Sequence, residues 1–317
     1  MNETLKKQPL IAVVGPTASG KTALAVELAL YFGGEVVSAD SMQVYKRMDI
    51  ATAKPDEAEK KGVPHHLIDL IEPDGAAFSV AQYARRAHAV IADIAARGRV
   101  PILAGGTGLY IDAAIDNIDF SNIRSDESVR AELYAQAEAH GNEHMLEMLR
   151  AVDPELAAAL HPNNLGRILR ALEVYRVTGV PMSEHQRRSR QTPERYDVCM
   201  IGLNFTDRAM LYDRVNRRVD LMIERGLIDE ARAVSAVCRG TALQAIGYKE
   251  LIPYLDAGAP LEECINRLKQ STRRYAKRQL SWFRRDARIV WLMVDKSESL
   301  RELTEKAVCV VHKSGIL

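Results

Sequence analysis

Gly15, Pro16, Thr17, Ala18, Ser19, Gly20, Lys21 and Thr22 satisfy every required position of the spacing G-x-x-x-x-G-K-[ST]. The two glycines let backbone approach a diphosphate closely, and N–H groups at the start of the following helix can face its oxygens. Lys21 adds a mobile positive charge, and the Thr22 hydroxyl can ligate Mg²⁺. The loop alone leaves open which phosphate ester binds. ATP is the default, but a hydrolysing motor needs an apolar strand that ends in an Asp for the metal. Residues 100–104 run instead into Gly105, Gly106 and Thr107, so work driven by hydrolysis is disfavoured.

Asp40 closes the short apolar run 35–38, at the edge of an open α/β sheet where ligands bind. A carboxylate there can take a proton from a nucleophile attacking something held in the loop, or hold metal-bound water. It can equally cap the turn into Ser41 and Met42. Gly105, Gly106, Thr107 and Gly108 form a second glycine-rich turn at the same edge. His65 and His66 are adjacent and point apart with no third ligand nearby, which favours hydrogen-bonding roles over a metal site.

Residues 267–288 hold nine bases against the single acid Asp286, a net +8, which leaves −7 for the rest of a chain whose total is +1. Such concentration argues for a localised polyanion contact. On a helix Arg273/Lys277, Arg274/Arg278 and Arg284/Arg288 stack like charge on like charge, each pair costing a few tenths of a kcal/mol. Tyr275, Trp282 and Phe283 between them either pack inward or stack on bases. Arg214, Arg217 and Arg218 form a smaller cluster able to neutralise a diphosphate, as do Arg167 and Arg170.

The elements positioning these groups alternate at first between strand and helix: strand 10–14, helix 22–32, strand 35–38, helix 79–96, strand 100–104. That is the start of a parallel α/β sheet. After about residue 117 the pattern is helical only, with 126–140, 143–152, 154–160 and 165–177 as helices, before the strand 198–203 and a last strand 289–294. The expected organisation is a phosphate-loop α/β core over 1–117, an all-helical insertion over 118–197, and a return to the core with a basic helical region over 198–317. A length of 317 residues, 47% hydrophobic and 27% charged, is the composition of a globular protein with an ordinary core. No apolar run is long enough to cross a membrane. Cys199, Cys238, Cys264 and Cys309 lack metal or disulfide spacing, which places the expected chain in a reducing cytoplasm.

These blocks together resemble the tRNA dimethylallyltransferase family. The likeness is carried by the phosphate loop, by Ser38-Ala39-Asp40-Ser41-Met42-Gln43-Val44-Tyr45 and by Pro64-His65-His66-Leu67-Ile68-Asp69. Gly105-Gly106-Thr107-Gly108-Leu109-Tyr110, Arg170-Ala171-Leu172-Glu173-Val174, Ala245-Ile246-Gly247-Tyr248-Lys249-Glu250 and Thr272-Arg273-Arg274-Tyr275-Ala276-Lys277-Arg278-Gln279 extend it over nearly the whole chain. The resemblance implies that the loop grips dimethylallyl diphosphate, with Mg²⁺ as cofactor, and that the acceptor is the N6 amino group of adenosine 37 beside the anticodon of tRNA. It implies Asp40 as base, Thr107 and Arg130 near the reacting centre or the RNA, and Arg218 on the diphosphate. Implied tRNA contacts are Asp40, Ser41, Met42, Gln43, Gly166, Arg167, Ile168, Leu169, Arg170, Gly247, Lys249, Arg273, Arg274, Lys277 and Arg278. Ala51 stands where the family has Gly, and Gly166 where it has Gln. A cytoplasmic monomer without membrane contact is expected. Two other readings of the same residues are a small-molecule kinase using ATP, with the helical insertion as a lid, and an RNA-binding protein whose loop senses a nucleotide.

Overall fold

The computed structural model describes residues 7–75, 78–116, 126–189, 193–238 and 240–317. The chain divides into two units, Met1–Ile115 with Arg195–Leu317, and Asp116–Glu194.

The first unit is built on six strands: β1 Gln8–Val14, β2 Gly34–Ser38, β3 His65–His66, β4 Val100–Gly105, β5 Tyr196–Asn204 and β6 Ile289–Met293. Every pairing is parallel, in the order β3-β2-β4-β1-β5-β6. Strands of such a sheet are covered on both faces, so they read as unbroken apolar runs, and successive side chains serve opposite layers. In β1, Leu10, Ala12 and Val14 pack on Tyr83, Ile91 and Ile94 of the helix Val80–Ala96. Ile11 and Val13 pack on Leu24 and Leu28 of the helix Lys21–Phe32 and on Leu303 and Val308 of the helix Leu300–Ser314. Gly33 ends the helix Lys21–Phe32 in the left-handed region at φ 64°, and Ser79 with Gln82 forms a capping box at the start of Val80–Ala96.

The second unit consists of helices. Glu127–Val152 is broken at Gly141, where φ is 82°, so it comprises the two helical stretches expected on either side. Pro154–Ala158, Leu165–Thr178 and Met182–Ser189 follow. Leu133, Met145, Leu149, Ile168 and Leu172 form its core. β5 starts at Tyr196, two residues ahead of the expected return to the core, and the other expected boundary, at 117/118, lies outside the described residues. Among the described residues no helix is long and apolar enough to cross a membrane.

The basic stretch requires a correction. Its helix, Leu261–Phe283, ends with Arg284 as cap, so Arg284 and Arg288 do not stack along a helix; Arg288 closes on Asp286 at 2.7 Å instead. Its aromatics pack inward: Phe283 is buried, and Trp282 Nε1 donates to Asp112 Oδ2 at 2.9 Å.

Candidate active site

β1 delivers the chain into the glycine-rich loop at the carboxyl edge of the sheet, and the helix Lys21–Phe32 leaves it. A Cβ on Gly15 would lie 2.6 Å from the Leu203 carbonyl oxygen of β5, and Gly20 adopts φ 93°, so side chains are excluded at both ends of the turn. Three groups hold the loop. Arg214 Nε donates to Ala18 O at 2.9 Å, Thr17 N donates to Gln279 Oε1 at 2.8 Å, and Lys21 Nζ donates to Pro16 O at 2.7 Å. The Ser19 hydroxyl is buried without a hydrogen-bond partner among the described residues. A buried hydroxyl left unbonded costs free energy that a ligand oxygen can recover.

Two cations and one carboxylate share the space above the loop. Burial, then the Arg218 charge, bring the Lys21 ammonium down to about 7, with Asp40 pulling the other way. Burial also lowers Arg218, which Glu59 and Asp40 support. Cations crowded in this way are destabilised until an anion joins them. Asp40 Oδ1 accepts from Met42 N at 2.9 Å and Gln43 N at 3.4 Å. Its Oδ2 accepts no hydrogen bond among the described residues. One oxygen thus makes the turn while the other is open for chemistry. Burial first, with Asp40's charge among the further causes, holds the Tyr83, Tyr110 and Tyr275 phenols above their ordinary value, so all three are neutral.

The second glycine turn is fitted against the Asp40 segment and the basic helix. A Cβ on Gly105 would lie 2.1 Å from Ala39 O, and one on Gly108 2.2 Å from Trp282. Thr107 N donates to Ala39 O at 3.2 Å, and its hydroxyl accepts from Ser41 N at 3.1 Å, which ties the turn to the Asp40 segment. Gln279, in the basic helix, takes the Thr17 N–H with its oxygen and donates its nitrogen to Gly106 O at 2.8 Å. The buried amide therefore bridges the two turns. Lys21, Asp40, Thr107 and Arg218, singled out by type and spacing or by resemblance, are gathered in this unit; the bridging by Gln279 and the loop-holding role of Arg214 carry no signal in residue type or spacing.

A profile of the family described as IPP transferase matches residues 43–286. A tRNA dimethylallyltransferase of Caldanaerobacter subterraneus is 48% identical over 301 residues, 93% of this chain and 95% of its own. The chain belongs to the IPP transferase family, the tRNA dimethylallyltransferases. A tRNA dimethylallyltransferase of Halalkalibacterium halodurans is 50% identical over 287 residues, covering 90% of this chain and 91% of its own. Among solved structures, the tRNA isopentenylpyrophosphate transferase of Bacillus halodurans is 45% identical at TM-score 0.71 and covers 98% of both chains. A eukaryotic dimethylallyltransferase described as acting on tRNA is 30% identical at TM-score 0.82, covering 96% of this chain and 79% of its own. The kinase reading finds no support in these likenesses.

Against this tRNA dimethylallyltransferase background, the residues expected to meet RNA fall into two groups. In the first unit Arg274, Lys277 and Arg278 are exposed on the basic helix, Arg278 lying over the Tyr275 ring at 5.6 Å, while Arg273 donates to Asn216 at 2.6 Å. Gln43 spends its amide inside the fold, accepting from Ser38 Oγ at 2.9 Å and donating to Thr52 O at 3.2 Å. Ser41 and Met42 are half-buried, Gly247 N donates to Glu250 at 3.0 Å, and Lys249 is exposed. In the second unit Gly166 and Arg167 are exposed, whereas the Ile168 and Leu169 side chains belong to that unit's own core. Arg130 and Arg170 both pair with the buried Glu173, at 3.1 and 2.9 Å.

Proposed function

We propose that this chain transfers the dimethylallyl group of dimethylallyl diphosphate to the N6 amino group of adenosine 37 in tRNA, as a cytoplasmic monomer. The observation that carries the reading is the open Oδ2 of Asp40 beside Lys21 and Arg218 at the mouth of the phosphate loop. In the reaction the allylic C–O bond breaks, the N6–C bond forms, the diphosphate leaves with the bonding pair, and the amino group gives up a proton. Lys21, Arg218 and the loop N–H groups stabilise charge on the departing diphosphate. The adenine amino nitrogen is a weak nucleophile because its lone pair is delocalised, so a carboxylate taking its proton is worth about 10²- to 10⁴-fold. Asp40 Oδ2 is that base, and Thr107 holds the segment that carries it.

A magnesium ion fits the donor set. Thr22 is an exposed hydroxyl in the first turn after Lys21, and among the described residues no cluster of three His, Cys, Asp or Glu forms a protein cage. Mg²⁺ keeps several waters and takes few protein groups beside substrate phosphates, and the Ser or Thr hydroxyl that follows a phosphate-loop lysine is one such group. Thr22 would hold it, and when bound it would add positive charge at the leaving group. The acceptor base must unstack to reach a carboxylate at the sheet edge, and the exposed cations of the basic helix give the surrounding RNA a place to bind. Incubation of the protein with radiolabelled dimethylallyl diphosphate and unmodified tRNA tests the reading directly. Label in the RNA at adenosine 37 is expected; label remaining wholly in the donor rejects it.

A further inference from the structure

A cavity of about 90 Å³ lies between the helices Arg208–Glu224 and Leu261–Phe283. Its lining follows helical spacing on both sides: Arg208, Leu211 and Tyr212 from one helix, and Lys277, Leu280 and then Arg284 from the other. Leu211 and Leu280 are buried and form an apolar floor. Arg208, Lys277 and Arg284 are exposed cations around it. None of the three has an ion pair or a side-chain hydrogen bond among the described residues, whereas Arg97, Arg267, Arg288 and Arg301 of the same unit are ion-paired.

Three positive side chains around one small hollow repel each other, and none of them is ion-paired among the described residues. The hollow has room for a tetrahedral oxyanion. Lys277 sits on the basic helix face that the function assigns to RNA, Arg284 caps that helix, and Arg208 and Tyr212 extend the face across to a second helix. We propose that this cavity seats one backbone phosphate of the acceptor RNA. Arg208, Lys277 and Arg284 neutralise its charge. This inference rests on the RNA-modifying reading and adds a specific anchoring point to it.

The test uses the full chain with a tRNA transcript, saturating dimethylallyl diphosphate to fill the loop, and the variants Arg208→Gln, Arg284→Gln and their double, with Arg301→Gln as a charge-removal control outside the cavity. The double variant is expected to bind tRNA about tenfold more weakly and to flatten the slope of log affinity against log salt by about one. Its melting curve and its affinity for dimethylallyl diphosphate should match the unaltered chain. Inorganic phosphate at millimolar concentration should compete with tRNA in the unaltered chain and less so in the double variant. RNA affinity and salt slope in the double variant equal to those of Arg301→Gln would overturn the proposal. So would phosphate binding lost in the double variant while RNA affinity is unchanged, since the occupant would then be free phosphate. Labelled prenyl transfer by the unaltered chain, scored in parallel, separates the two readings: its absence rejects the function, whereas its presence with unchanged RNA affinity rejects only the cavity assignment.

Discussion

The strand β2 carries a carboxylate near each end, and the two live under opposite rules. Glu35, at the amino end, has a side chain only 4% exposed and is surrounded by partners. Arg97 reaches both of its oxygens, His66 Nε2 lies 2.7 Å away, and Arg99 Nε lies 3.6 Å away. The Arg97 hydrogen bonds first, with His66 further down and against the opposing cost of burial, bring its carboxyl down to about 2. Asp40, just past the carboxyl end, has one oxygen in a turn and the other open, facing cations that burial makes costly. Satisfied hydrogen-bonding capacity confers stability, and capacity held back at a sheet edge is what a substrate can use.

The sharpest way to break this comparison is to remove the open carboxylate. Asp40→Asn retains the turn-forming oxygen, so the melting temperature should barely change while kcat for prenyl transfer falls about 10²- to 10⁴-fold. Single-turnover kinetics with saturating donor and tRNA measure it; unchanged turnover would assign Asp40 to the turn alone. Gln279→Ala comes next. It orphans the Thr17 N–H and the Gly106 carbonyl and lets the two glycine turns drift apart, and a misplacement of about 1 Å costs on the order of 10²-fold in kcat/KM. A loss confined to tRNA affinity would instead make Gln279 an RNA contact.

Lys21 gives a smaller, graded effect. Burial and the Arg218 charge bring its ammonium down to about 7, so it is charged below that pH and loses its proton above. Diphosphate favours the charged form, so above pH 7 binding must take up a proton and donor affinity should fall up to about tenfold per pH unit. Titration calorimetry from pH 6 to 9 in buffers of different ionisation enthalpy reads both the slope and the proton uptake. Lys21→Met should bind weakly with little slope.

Much of this molecule is legible in its amino-acid sequence. The phosphate loop announces itself by type and spacing, and the apolar runs 10–14 and 100–104 coincide with β1 and β4 nearly to their ends, because buried parallel strands are uninterrupted apolar segments. Gln279 stays hidden for a physical reason. A glutamine among arginines on a basic helix looks like another solvated residue, and only the tertiary fold turns that one position inward to 5% exposure. Arg214 groups with Arg217 and Arg218 by charge, yet its guanidinium holds the Ala18 carbonyl, since charge counting cannot tell a ligand-facing arginine from one bonded to backbone. The expected Arg284/Arg288 pair fails because helical spacing does not extend past the helix end, where Asp286 offers Arg288 a closer partner.

The mildest expected effect on chemistry belongs to the satisfied end of the strand. Glu35→Gln keeps the shape and removes the charge on which Arg97, Arg99 and His66 converge. Its folded value of about 2 lies below the ordinary 4.5, so its contribution is fully present above about pH 4.5 and is lost as pH falls towards 2. Because Arg97 and His66 are partly open to water and would not be stranded in the core, the cost near neutral pH should be about 3 kcal/mol, at the low end for breaking a buried pair. Urea unfolding should show a lower midpoint with an unchanged slope, and the gap from the unaltered chain should narrow as the pH is lowered from 5 to 3. Prenyl transfer at temperatures where both chains are folded should be the same. A variant as stable as the parent at pH 7, or one that loses turnover while folded, would erase the contrast between the two ends of β2.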